Sequence, residues 1–155
     1  MKKTISFILC LTIFVTMLAF DISAADNDVV LTAASEITVT DGNETRASGL
    51  IASYGLSLEK TGTTLKIYGQ TFCSPDVVKC GFKNLVIQRR ASSDDSWKDY
   101  YDYGNVYIDF SAANLNTTLV VPAGYQYRIS CKHYAKKNLL SVQTIANTSN
   151  IVAVS

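Results

Sequence analysis

The chain is expected to fold as an all-β, antiparallel sandwich of about seven strands. Three observations predict it. Apolar residues recur at period two in several short runs, turn residues (Gly, Pro, Asn, Asp) separate those runs, and no long stretch carries the 3.6-residue period of an amphipathic helix. The clearest run lies within residues 117–135, TTLVVPAGYQYRISCKHYA, where Tyr125, Tyr127, Ile129, Cys131 and His133 alternate with Gln126, Arg128, Ser130 and Lys132. Such alternation places the first set on one buried face. Pro122 and Gly124 before it are turn residues, so a strand, a corner and a second strand are expected there.

The elements follow in order. Lys2 and Lys3, the uncharged residues 4–20 and the small residues Ser23, Ala24 and Ala25 have the three parts of a secretory signal peptide, residues 1–25. Cys10 follows Leu9 rather than a small residue, so no lipoprotein attachment signal is visible, and no stable membrane insertion is expected after cleavage. Residues 26–50 read as a flexible polar leader or a loosely attached edge segment, with a short alternation at residues 36–40. Residues 51–155 are the expected sandwich domain. Within it, residues 56–59 and 65–68 flank the turn-rich KTGT as a hairpin, with Leu65, Ile67, Gly69, Thr71 and Cys73 on one face. A third strand is expected over residues 82–90, and residues 97–110 follow with a break at Gly104 and Asn105 before Val106. Residues 115–121 and 125–135 form the strands of the corner, and SNIVAV at residues 149–154 is a last strand. Residues 138–140 and 143–150 are too short and too polar for a long helix.

Two resemblances accompany this reading. The order of strand, hairpin, strand, Trp-bearing connection and the pattern Leu119-x-x-Pro122-x-Gly124-x-x-Tyr127 is similar to fibronectin type III and related immunoglobulin-like domains. It implies a tyrosine corner, for which Tyr125 and Tyr127 are the candidates. SPDVVKCGFKNLVIQRR, a Ser-rich loop with Trp97, GYQYRISCKHYAKK and NTSN together resemble a family of small secreted bacterial proteins of unknown function. That likeness implies secretion and one domain, and it transfers no site residues.

Charge narrows the range of partners. Removal of the signal peptide takes Lys2, Lys3 and Asp21 with it, and 14 basic and 13 acidic residues become 12 of each. A neutral balance gives no support to nucleic acid as partner. Basic residues nevertheless concentrate on two expected strands, Lys79, Lys83, Arg89 and Arg90 on the third and Arg128, Lys132, Lys136 and Lys137 on the sixth. If those strands are neighbours, one positive face results that would suit an anionic cell-wall polymer, yet the balanced total charge argues for an ordinary mixed surface.

The cysteines left after the signal peptide are Cys73, Cys80 and Cys131. A Cys73–Cys131 bridge between the ends of the second and sixth strands, a Cys73–Cys80 bridge across the SPDVVK turn, and three free thiols all remain open. No Cys-x-x-Cys pattern and a single His argue against a zinc site, and no cofactor is expected. The aspartates Asp94, Asp95, Asp99, Asp102 and Asp109 read as solvated, without the spacing of a calcium loop. Trp97, Tyr100, Tyr101, Tyr103 and Tyr107 are the candidate ligand-binding residues, since rings with a polar tip stack on sugars or anchor a protein interface. The competing use of the same rings is core packing, which would take two or three of them. A secreted, non-enzymatic binding protein with a cell-surface glycan or protein as ligand is the leading expectation. The alternative is a small hydrolase built on His133 and a carboxylate, although no nucleophile signature accompanies that histidine.

Overall fold

The computed structural model describes the backbone of Val30–Ala33 and Thr45–Arg46 and all of residues 49–155. The expected signal peptide and the alternation at residues 36–40 lie outside the described residues. Among these there are ten strands and no helix: β1 (Val30–Ala33), β2 (Thr45–Arg46), β3 (Ile51–Thr61), β4 (Thr64–Cys73), β5 (Lys79–Arg90), β6 (Lys98–Ile108), β7 (Ala112–Val120), β8 (Tyr125–Asn138), β9 (Ser141–Thr148) and β10 (Val152–Val154). One sheet runs β1-β7-β4-β3-β2, and the other runs β6-β5-β8, with β9 and β10 sharing the free edge of β8. All pairings are antiparallel.

The two sheets stack into a sandwich. β3, β4 and β7 occupy the places of strands A, B and E in an immunoglobulin-like domain, and β6, β5, β8 and β9/β10 those of C′, C, F and G. The corner after β7 carries the chain from the first sheet to the second. There the Tyr127 hydroxyl donates to Pro122 O at 2.7 Å, so Tyr127 is the tyrosine of the corner. The inward register expected for β8 is observed: Tyr127, Ile129, Cys131, His133 and Ala135 are buried. They meet Leu56, Leu58, Leu65, Ile67, Leu115 and Leu119 of the first sheet and Phe82, Leu85 and Ile87 of β5 in one core. Burying such aliphatic side chains contributes roughly 1.5–3 kcal/mol each, the main term available to a fold without helices.

Residues 26–50 contribute two edge strands, β1 on β7 and β2 on β3. Two places inside the sandwich differ from the expectation. Gly104 (φ 72°) does not break β6. Together with Asn84 (φ 51°) on β5 it forms an irregularity at which the register shifts, and the Asn84 N–H is taken up by Asn105 Oδ1 at 3.0 Å. Residues 141–148 form a full strand, β9, whose half-buried positions are Ser141, Gln143, Ile145 and Asn147. Their polar members serve distant partners. Gln143 Oε1 accepts the Ile51 N–H at 2.9 Å, and just beyond β9 Asn150 accepts the Leu58 N–H and donates to Leu58 O. These bonds cap backbone groups of β3 on the side of β2, at positions that the two-residue β2 does not cover and that otherwise would invite pairing with another chain.

Candidate functional site

Because β5 lies between β6 and β8, the basic positions of the third and sixth expected strands come together. In the β5–β8 register Lys79 is opposite Lys136, Lys83 is opposite Lys132, and Gln88 is opposite Arg128. Residues opposite each other in an antiparallel pair share a face, and this face is the outer one, since Ile87 and Ile129, offset by one residue, fill the core. The outer face therefore carries Lys79, Lys83, Arg90, Arg128, Lys132 and Lys136. Among the described residues only Lys79 of these six has an ion-pair partner, Asp109 at 2.9 Å.

Aromatic rings punctuate the row. Gly81 is opposite both Tyr107 on β6 and Tyr134 on β8, and with no side chain between them the two rings meet at 4.7 Å between centroids. At the far end the Trp97 ring receives the Arg90 guanidinium at 4.5 Å and the Arg128 guanidinium at 4.3 Å. Neighbouring glutamines fix both arginines: Arg90 Nε donates to Gln126 Oε1 and Arg128 Nε to Gln88 Oε1, each at 2.9 Å. Arg90 also donates to Ser93 O at 2.9 Å, while Gln88 donates onward to Asp99 at 2.8 Å. Burial, and then the like charge of Arg90, lower the pKa of Arg128. The terminal nitrogens of Arg128 have no acceptor among the described residues and remain available to an anion.

The five candidate rings separate. Trp97 and Tyr107 belong to the outer face. Tyr100 and Tyr103 turn inward and pack against the core, Tyr100 edge-on to Tyr127 at 5.8 Å. The Tyr103 hydroxyl is buried at Thr117, and burial raises its pKa to about 12. Tyr101 is 37% exposed and contacts Tyr103 edge-on. Arg89, one residue out of phase with the outer row, covers the end of the core, 4.6 Å from the rings of both Tyr100 and Tyr125. The sequence reading therefore overlooked Tyr134, Gln88 and Gln126 as members of the face. The signal for Tyr134 and Gln126 was present in the even positions of β8, which are solvent-facing if the odd ones are buried, whereas Gln88 lies on β5 opposite Arg128.

His133 is fully buried between the Tyr54 and Phe82 rings. Asn147 Oδ1 accepts the Thr148 N–H at 2.8 Å, which turns the amide nitrogen to donate to His133 Nε2 at 3.2 Å. The ring proton then sits on Nδ1 and is donated to Thr71 Oγ1 at 2.8 Å, and Thr71 donates to Gly81 O at 3.3 Å. Burial lowers the pKa of His133 to about 4, so the ring is neutral at physiological pH. A hydroxyl and an amide hold it, and among the described residues the carboxylate that the hydrolase reading requires is not one of its partners.

Cys73, Cys80 and Cys131 are free thiols, and the Cys73–Cys131 bridge is not formed. Cys131 Sγ rests 3.9 Å from His133 Nε2. The aspartates are dispersed: Asp95 accepts from Ser92, Asp99 from Gln88, Asp102 from the Gly104 N–H, and Asp109 pairs with Lys79. No protein-family model, curated protein or solved structure matches the chain.

Proposed function

We propose that the protein is a secreted, non-enzymatic β-sandwich that binds an acidic glycan of the cell surface along the outer face of β6, β5 and β8. The observation that carries this reading is the pairing of like charges. Lys79 faces Lys136 and Lys83 faces Lys132 directly across neighbouring strands. Like charges opposite one another are destabilising in a sheet; Asp109 offsets the charge of Lys79, whereas Lys83 and Lys132 have no ion-pair partner among the described residues. A polyanion laid across the strands removes that repulsion, so the arrangement that is unfavourable in the free protein is favourable in the complex.

The geometry suits a linear polymer. From Lys79 to Arg90 the face extends roughly 35 Å at the usual rise per residue of a strand. Cations alternate along it with flat rings, the Tyr107–Tyr134 pair and Trp97, which offer surfaces for sugar rings between charged groups. Arg90 and Arg128 are held in place by the glutamines before any ligand arrives, which lowers the ordering cost of binding.

Titration against dextran sulfate, polygalacturonate and neutral dextran tests the proposal. Binding to the two charged polymers, none to dextran, and at least a tenfold loss of affinity between about 50 and 300 mM salt are expected, because exposed charges are screened over that range. Equal affinity for dextran, or no affinity for any of the three, would overturn the proposal. So would capture of an envelope protein that competes with neither polyanion.

A further inference from the structure

Cys73 is the last residue of β4, and Cys80 is the second residue of β5. The turn between them is closed by a bond from the Val77 N–H to Ser74 O at 3.0 Å. On either side of it the chain folds back on itself: Cys80 Sγ lies 4.0 Å from Thr71 O, and Thr71 Oγ1 donates to Gly81 O. Cys73 is thereby brought beside Cys80, and it is the first of the causes that raise the pKa of the Cys80 thiol. Their surroundings differ. Cys73 is partly exposed, whereas Cys80 is completely buried.

We propose that Cys73 and Cys80 are a redox-active pair that closes to an intramolecular disulfide, with Cys73 as the entry thiol and Cys80 as the resolving thiol. The oxidant is a low-molecular-weight disulfide, R–S–S–R. The Cys73 thiolate attacks one of its sulfurs, the external S–S bond breaks, and R–S⁻ leaves and takes up the proton that Cys73 gave up. Cys80 then loses its proton and attacks Cys73 Sγ in the mixed disulfide. The Cys73–Cys80 bond forms, and the second R–S⁻ leaves with that proton. Two protein thiols are oxidised by two electrons in total, and one external disulfide is reduced to two thiols.

The order follows from access. The external disulfide reaches Cys73, whereas Cys80 is enclosed by β4, β6 and β8 through its partners Ile108 and Ala135. The Cys73 thiol, followed by burial, raises the pKa of Cys80 above the ordinary thiol range. Once Cys73 carries an adduct it no longer presents that thiol, which lifts the larger restraint on Cys80 at the step where Cys80 must react. Cys131 stands apart from this chemistry. It lies four residues along β8 from Ala135, the residue opposite Cys80, a separation of about 13 Å. Burial raises the pKa of its thiol to about 12.

Lys79 lies between the two cysteines, so trypsin separates them into peptides 67–79 and 80–83. The full chain is treated with oxidised glutathione, alkylated without reduction and digested. Peptides 67–79 and 80–83 are expected joined by a disulfide, with Cys131 alkylated only after unfolding. In Cys80→Ala, glutathione is expected to accumulate on Cys73, and in Cys73→Ala, Cys80 is expected to stay unmodified. A linked peptide that contains Cys131, or alkylation of all three thiols after oxidation of the wild-type protein, would overturn the pairing. Glutathione on Cys80 in Cys73→Ala would overturn the order.

Discussion

His133 is the residue that most resembles a catalytic group in the sequence, and its surroundings give it a different role. A neutral imidazole between two rings, with both nitrogens bonded, ties β8 to Thr71 on β4 and Asn147 on β9. The consequence is a pH dependence of stability. In the unfolded chain the ring titrates near 6.5, and in the fold near 4, so between these values the unfolded state binds more protons. Stability from this site is therefore complete above pH 6.5, declines as the pH falls toward 4, and levels off below. The full difference is on the order of 3 kcal/mol. Urea unfolding midpoints measured from pH 7 to pH 4 are expected to fall for the wild type and to change much less for His133→Gln. A variant that keeps the wild-type slope would show that other groups cause it.

Among the strands, β8 was legible in the sequence and β9 was not, and the reason is physical. The buried positions of β8 are Tyr127, Ile129, Cys131, His133 and Ala135, mostly apolar, so alternation reveals the face. The inward-leaning positions of β9 are Ser141, Gln143, Ile145 and Asn147, whose polar side chains are justified by Ile51 and His133, residues far away in sequence. No local pattern encodes such partners. β6 was half legible, because Gly104 reads as a break and only the left-handed Asn84 on the neighbouring strand converts it into a register shift.

Gly81 has a similar status. It occupies an ordinary position in a strand pattern, yet its φ of 147° and its contacts require glycine: an added Cβ would stand 2.2 Å from Val106 O and 2.9 Å from Tyr107 Cα. Gly81→Ala is expected to destabilise by roughly 3 kcal/mol or more, combining backbone strain with overpacking. It should also separate the Tyr107 and Tyr134 rings. Thermal unfolding within the error of the wild type would show that β6 can move away from β5 at no cost.

At the scale of the whole molecule, the outer face of β5 and β8 concentrates cations, of which only Lys79 has an ion-pair partner among the described residues, on a chain whose expected mature form has as many acidic as basic residues. Composition therefore hid the feature that strand order produces, because total charge says nothing about which strands are neighbours. The basic positions themselves could be read from the sequence. Their union required β5 to pair with β8. If the face is built for a polyanion, stability and binding must oppose each other there. Lys132→Glu tests this in a single variant, since it turns the like-charge pair with Lys83 into an opposite-charge pair. Parallel measurement of its unfolding free energy and its affinity for dextran sulfate is predicted to give a gain of about 0.5–1 kcal/mol in stability together with at least a tenfold loss of affinity; unchanged affinity, or a less stable protein, would contradict the account.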